Sequence, residues 1–258
     1  MLSFCMGATG GYADVPDGPV SGPRGDSSAT AADAPAGDER AAGRRELPGS
    51  AVTPPGESSL EVRIFRFLNR SLSNPVLDAM MPVFTDFKRS RVAVLVVWSL
   101  LVLFGGSRGR WAALMLIPLI AASDQISSHL LKPLVQRMRP CEVLGSVHLW
   151  HGPEGWLTTP AVVARSYKSS FSFPSGHAAN ITASMLFLGL VYRRWLVPLL
   201  AVAVAVSYSR IYIGVHWPSD ALVGIALGGV LAWPAYLAHK SLSGKNATRP
   251  APGTPPSG

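Results

Sequence analysis

The stretch Trp195-Leu-Val-Pro-Leu-Leu-Ala-Val-Ala-Val-Ala-Val-Ser-Tyr-Ser-Arg210-Ile-Tyr-Ile-Gly-Val-His216-Trp-Pro-Ser-Asp220 decides the fold. Trp195–Ile213 is apolar apart from its last turns, follows Arg193 and Arg194, and shows no strand period. Its length suits a helix crossing a hydrocarbon core, which takes ~20 residues. A guanidinium near the end of such a run is costly without a partner or a task, so Arg210 is a candidate functional residue. His216 and Asp220 are four apart, and Pro218 is suited to open the next helix. The Asp220 carboxylate can then accept from one imidazole nitrogen, fix the tautomer and leave the other nitrogen nucleophilic. A His–Asp pair that merely satisfies a helix start fits equally well at this point.

Working outward, the same apolar character recurs in Val92–Gly106, Trp111–Leu131, Ala178–Tyr192 and Ala221–Ala238. A weaker segment, Asn74–Phe87, carries Asp78 and Asp86 and follows the basic amphipathic stretch Val62–Arg70. The expectation is an all-α polytopic membrane bundle of about six transmembrane helices. The first segment can span, dip in or lie at the interface. Composition agrees: 48% of residues are hydrophobic and 15% charged, few charges for a soluble domain.

Residues 1–58 are Gly-, Ala-, Pro-, Ser- and Asp-rich and lack an apolar period, so they read as a disordered tail. Residues 59–240 form the expected membrane domain, and 241–258 a second polar, Pro/Gly-rich tail. The first tail holds eight acids and four bases, so a formal charge of +8 for the chain leaves +12 on the remainder. A basic membrane domain suits anionic headgroups and phosphate substrates. No nucleic-acid partner is expected, and nothing in the sequence sets an oligomeric state. The two cysteines, Cys5 and Cys141, have no metal-ligand spacing; Cys141 reads as a small packing residue.

Three polar interruptions break the apolar pattern: Lys132–Pro140, Pro174–His177 and Ser209–Asp220. If every segment crosses, all three share one membrane face. Spanning by the first segment would put Arg63, Arg66, Arg70, Arg108, Arg110, Arg193, Arg194, Lys240 and Lys245 together on the opposite face. The positive-inside rule would make that face cytoplasmic and aim the interruptions at the periplasm or exterior; the Lys88–Arg91 cluster argues against this.

In the first interruption Lys132 and Arg139 are seven apart, two turns along one face if the helix continues. Arg139 offers a planar fork and Lys132 a point charge to one phosphate; a basic helix end in the headgroups is the plainer reading. In the second, Ser175 and Gly176 would turn unpaired helix amides toward an anion. His177, on the first turn, is suited to give a proton to a leaving oxygen. Asp124, eight before Lys132, is either a partner of a site cation or a helix–helix polar contact. Arg165 and Lys168 can meet a headgroup or be solvated. Trp150, Trp156, Trp195 and Trp217 read as an interfacial belt. No clustered carboxylates suggest a metal site, and no cofactor is expected.

With every position filled, KxxxxxxRP at 132–140, PSGH at 174–177 and SRxxxxxHxxxD at 209–220 resemble the type-2 phosphatidic acid phosphatase superfamily, which includes the vanadium haloperoxidases. The resemblance covers about residues 60–240. It implies that His216 attacks phosphorus to form a phosphohistidine, Asp220 orients it, and His177 protonates the leaving oxygen and then activates water. It also implies that Lys132, Arg139, Ser175, Gly176 and Arg210 hold the phosphoryl oxygens, without a metal. A lipid phosphate or diphosphate is the expected substrate. Undecaprenyl diphosphate is favoured because Asn74–Asp78 looks similar to short members with that role. Phosphatidic acid, phosphatidylglycerol phosphate and lipid A phosphate are the alternatives. A lipid phosphotransferase, a vanadate-dependent peroxidase and a non-enzymatic scaffold are the competing classes.

Overall fold

The computed structural model describes residues 55–56, 58–85, 87–160 and 170–247. Nearly all of the expected N-terminal tail, Arg165, Lys168 and the chain beyond Ala247 lie outside them.

Helices dominate: α1 (Leu60–Arg66), α2 (Pro75–Thr85), α3 (Phe87–Phe104), α4 (Gly106–Asp124), α5 (Lys132–Val135), α6 (Pro140–Val143), α7 (Gly176–Val191), α8 (Leu196–Tyr212) and α9 (Pro218–Ala247). The stretches Gly106–Val143, Arg193–Tyr212 and Pro218–Ser243 are long and apolar enough to cross a membrane; Pro75–Thr85, Val94–Phe104 and Gly176–Val191 are shorter apolar helices. The polytopic helical bundle expected from the sequence is what forms. One helix runs longer than its apolar segment: α9 continues past Ala238 to Ala247.

Helices α7 and α9 run parallel and pack closely. A Cβ on Gly224 would sit 2.5 Å from the Ser175 carbonyl oxygen, and one on Gly228 2.5 Å from that of Ala179. Two glycines one turn apart therefore let the backbones meet, as small residues do in lipid, where apolar burial gives no drive. The Ser175 amide donates to the Asp220 carbonyl at 3.0 Å, tying the two N-termini together. At the far end, the Arg108 guanidinium donates to the Val191 carbonyl and lies over the Tyr192 ring, and His239 bonds the Arg108 carbonyl at 3.0 Å.

Two expectations change. A two-stranded antiparallel hairpin, β1 (His148–Trp150) and β2 (Trp156–Thr158), lies in the connection before α7. Strands of three residues are too short to show a period in sequence. The second change concerns sides. Helix α1 sits at the end that holds the polar interruptions: Glu61 pairs with Arg137, and Asn69 donates to the carbonyls of His148 and Tyr212, both at 2.7 Å. Helix α2 stays near that end, its Asp78 accepting from Tyr212 at 2.7 Å and its Thr85 bonding Ser209 at 3.0 Å. Arg63, Arg66 and Arg70 therefore share the site's end, not the face opposite. The cause is polar: Asp78 and Asn69 find partners in the hairpin and at the end of α8, and that holds the segment there.

The tryptophans divide as well. Trp217 is fully buried against Phe65, ring centroids 5.5 Å apart. Trp156 stacks on His148 at 4.1 Å. Trp195 is exposed and fits the expected belt. Cys141 is buried.

Candidate active site

The three interruptions do converge. The charges acting on His177 are those of Arg210, His216, Lys132 and Arg139, and those acting on His216 are Arg139, Arg210 and Lys132.

Each arrives by a local device. Helix α8 ends at Tyr212, and Gly214, with φ +82°, turns the chain back. A side chain there would be strained and would meet Val147 at 2.7 Å. The turn brings the amides of Val215 and His216 onto the Arg210 carbonyl, at 3.3 and 3.2 Å. Pro218 opens α9 two residues after His216, and Ser175 caps α7, its hydroxyl accepting from the Ala178 amide at 3.4 Å. Gly176 and His177 then lie in the first turn, His177 exposed and Ser175 and Gly176 buried.

The expected continuous helix from Lys132 to Arg139 is not found. Helix α5 ends at Val135, Gln136 takes a left-handed conformation (φ 49°), and Arg139 is extended as the cap of α6. The break comes at Gln136, and Pro140 in addition favours the extended backbone of Arg139 before it. The two cations reach the site from separate elements instead.

The environments of the two arginines are opposite. Arg139 donates from Nε to Ser170 O at 2.7 Å, from Nη1 to Val215 O at 2.8 Å, and from Nη2 to Ser170 Oγ at 3.0 Å and Phe171 O at 3.2 Å. Its remaining N–H, on Nη1, points at His216 Nε2 at 3.3 Å. All five donors of the fork are thereby assigned, so the free fork expected for two phosphate oxygens is engaged by the protein in this state. Arg210 is buried and its Nε has no hydrogen-bond partner among the described residues. Such a donor is expensive to leave unmade unless an anion meets it.

His216 is buried, its Nδ1 3.5 Å from Asp220 Oδ2, an ion-pair distance longer than a hydrogen bond. Asp220 is fully buried and otherwise engaged: Oδ2 accepts from the Trp217 amide at 2.9 Å and Oδ1 from Arg137 Nη1 at 2.7 Å. Burial first, then the charges of Arg139, Arg210 and Lys132, hold the His216 imidazole well below the usual histidine pKa, with the Ser172 carbonyl acting the other way. The ring is neutral at neutral pH, as a nucleophile must be.

Arg137 and Glu61 escaped the sequence reading. Three cations stand within Lys132–Pro140, and the third, Arg137, was the available signal. Nothing local marked Glu61, 76 residues away in sequence. Asp124 takes neither expected role: it is exposed and accepts from Ser128 of its own helix at 3.2 Å. A π-helical stretch, Gln125–Leu131, follows it and shifts the register that would have aligned it with Lys132.

Residues 113–243 match the model of the PAP2 superfamily. The chain belongs to that superfamily. The membership, taken with the phosphatases among its relatives, gives the enzyme class, a membrane phosphatase. The chain is 29% identical over 205 residues to a lipid A 4'-phosphatase of Bacteroides thetaiotaomicron, covering 76% of this chain and 84% of the relative. It is 27% identical to an undecaprenyl-diphosphatase of Sulfolobus acidocaldarius, covering 70% and 79%. The crystal structure of a transmembrane PAP2-type phosphatidylglycerolphosphate phosphatase from Bacillus subtilis aligns with a TM-score of 0.48 at 21% identity, over 73% of this chain and 89% of that one.

Proposed function

We propose that this enzyme hydrolyses a phosphomonoester or diphosphate of a membrane lipid through a phosphohistidine on His216, with undecaprenyl diphosphate as the leading substrate. His216 Nε2 attacks phosphorus in line, and the bond from phosphorus to the leaving oxygen breaks as His177 supplies its proton. Water then attacks the phosphohistidine, giving its proton to His177, and the phosphorus–nitrogen bond breaks to release phosphate. Lys132, Arg210, the Ser175 hydroxyl and the amides at the start of α7 hold the non-bridging oxygens, joined by Arg139 once substrate displaces its bond to Nε2. Fixed cations supply the charge stabilisation that phosphoryl transfer requires.

The observation that carries this reading is a buried arginine Nε with no hydrogen-bond partner among the described residues, close to a buried histidine whose pKa is held well below the usual value. Membership of the PAP2 superfamily and the lipid phosphatases among its relatives support the substrate class. The lipid A 4'-phosphatase relative keeps lipid A phosphate as a second substrate to try. Phosphate release by purified protein from undecaprenyl diphosphate, lipid A, phosphatidic acid and phosphatidylglycerol phosphate, with His216→Ala alongside, is the test. Release from none of them, or equal release by His216→Ala, would overturn it.

The same reading has the site opening to the periplasm or exterior. Its support is the far end of the bundle, where Arg108 and Arg110 begin α4 and Arg193 and Arg194 stand before α8, whereas the short α8–α9 connection, residues 213–217, has no Lys or Arg; Arg63, Arg66 and Arg70, at the site's end, count the other way. A cysteine placed at Arg194 should react with an impermeant maleimide only after the membrane is opened; reaction in intact cells would reverse the orientation.

A further inference from the structure

Asp220 does not have His216 as its main partner. Its Oδ1 takes a 2.7 Å bond from Arg137 Nη1, which also donates to Ser219 Oγ at 2.7 Å. Arg137 Nη2 is 2.5 Å from Glu61 Oε2, and the other Glu61 oxygen accepts from the Ser219 hydroxyl. The guanidinium lies 5.1 Å from the centroid of the Trp217 ring. Trp217 is in turn fixed by its indole N–H to Met138 O at 2.9 Å and by Phe65, one turn beyond Glu61 on α1. One arginine is thus pinned by a carboxylate on each side and an aromatic face, with its side chain 12% exposed and that of Asp220 0%.

Each part has a physical reason. A fully buried carboxylate needs a paired charge. A planar fork can serve two carboxylates at once, which a lysine cannot. The pair also sets a distance: with Oδ1 held by Arg137 and Oδ2 by the Trp217 amide, the carboxylate stands 3.5 Å from His216 Nδ1, within a small shift of a full bond.

We propose that Arg137 is a positioning residue that aims the Asp220 carboxylate at His216, and that Glu61 makes the amphipathic helix α1 part of the catalytic framework. The proposal rests on the His216 reading above. It assigns no contact with substrate to Arg137 or Glu61; they act on the phosphoryl transfer through Asp220 alone.

The test is steady-state hydrolysis by the full chain in detergent, with wild type, His216→Ala, Asp220→Asn, Arg137→Gln, Arg137→Lys and the double variant Arg137→Gln/Asp220→Asn. Arg137→Gln should lower kcat by about 10–100-fold, the usual effect of removing a group that orients a functional side chain, with KM changed less than about threefold because uniform substrate binding is untouched. Arg137→Lys, which keeps the charge and loses the fork, should recover part of kcat. In the Asp220→Asn background Arg137→Gln should cost less than about twofold more, since residues acting as a unit are not additive. An equal loss in both backgrounds, a rise in KM at constant kcat, or a lysine variant no better than glutamine would overturn the proposal. Full activity of Arg137→Gln beside an inactive His216→Ala would end this inference alone. Undiminished activity of His216→Ala would end the nucleophile reading and this one together.

Discussion

Nη1 of Arg139 lies 3.3 Å from Nε2 of His216. A guanidinium has no lone pair to offer and only donates, so Nε2 is the acceptor and the ring proton sits on Nδ1, toward Asp220. The bond specifies the tautomer that attack from Nε2 requires. It also means that Arg139 covers the nucleophile until a phosphoryl oxygen takes its place. The other four N–H groups of Arg139 go to Ser170, Phe171 and Val215, so this one side chain clamps the loop before α7 to the turn that carries His216.

Arg139→Lys should therefore fail on two counts. Lysine has three donors where five are used, and buried carbonyls left without a donor cost about 1–3 kcal/mol each. Both the melting temperature and kcat/KM should fall, the latter by about 100-fold, the scale of losing one preorganised donor at a transition state. A lysine variant with wild-type kcat/KM would show that neither the clamp nor the fork matters.

The depressed pKa of His216 has a stability consequence with a definite sign. The unfolded imidazole titrates near ~6.5, and the folded one well below that. Between the two, the unfolded chain binds more protons, so stability rises with pH across that window. The contribution is complete above the unfolded value and is lost as pH falls toward the folded one. Thermal melts of the detergent-solubilised protein should show wild type losing stability on acidification below about 6.5, with His216→Asn losing less. Parallel curves for the two proteins would mean that His216 is not held neutral by its site.

Sequence and structure agree on what local pattern can express. The apolar runs gave the helices, and Pro174–His177 gave the cap and first turn of α7, because helix signals are local. The convergence of Lys132, Arg139, His177, Arg210 and His216 was legible because three polar interruptions in a membrane chain must share a face. What stayed hidden was tertiary pairing. Glu61 meets Arg137, and Asp78 meets Tyr212 and His148, across long stretches of chain. The break at Gln136 also escaped, since the residues before Pro140 look like ordinary helix formers.

Gly224 and Gly229 make a paired control for the α7–α9 contact. A Cβ on Gly224 would lie 2.5 Å from Ser175 O and 2.9 Å from Ala178 Cβ, whereas one on Gly229 would come no closer than 4.0 Å, to Leu186. Gly224→Ala should destabilise by about 1–3 kcal/mol, the range for overpacking, and should reduce activity because Ser175 caps the helix that presents His177. Gly229→Ala should be near neutral in both. Equal effects at the two positions, in melting temperature and kcat, would deny that close approach sets this interface.

Orthovanadate should inhibit competitively, and activity should survive EDTA. Lys132, Arg139 and Arg210 are arranged about His216, and a trigonal bipyramidal vanadate bonded to Nε2 would mimic the species those cations hold best, so it should bind more tightly than ground-state phosphate. Inhibition should vanish in His216→Ala even where residual lipid binding persists. Dependence on added magnesium after exhaustive chelation would instead mean that the three cations do not carry the phosphoryl charge unaided.

His177→Ala separates acid catalysis from phosphate binding. His177 sits in the first turn of α7, exposed, directly after the cap residue Ser175 and Gly176. A group that donates a proton to the departing oxygen matters in proportion to how poorly that oxygen leaves, and general acid catalysis contributes about 10²–10⁴-fold. A lipid alkoxide needs the proton most, the phosphate leaving from a diphosphate less, and an aryl oxide such as p-nitrophenolate least. Loss of kcat in His177→Ala should follow that order, largest for a phosphomonoester lipid and smallest for the aryl phosphate. Single-turnover experiments with the aryl substrate should then leave phosphorylated His216 accumulating, because the same side chain is needed to activate water in the second step. Equal losses across leaving groups, with no trapped phosphoenzyme, would reduce His177 to a binding residue.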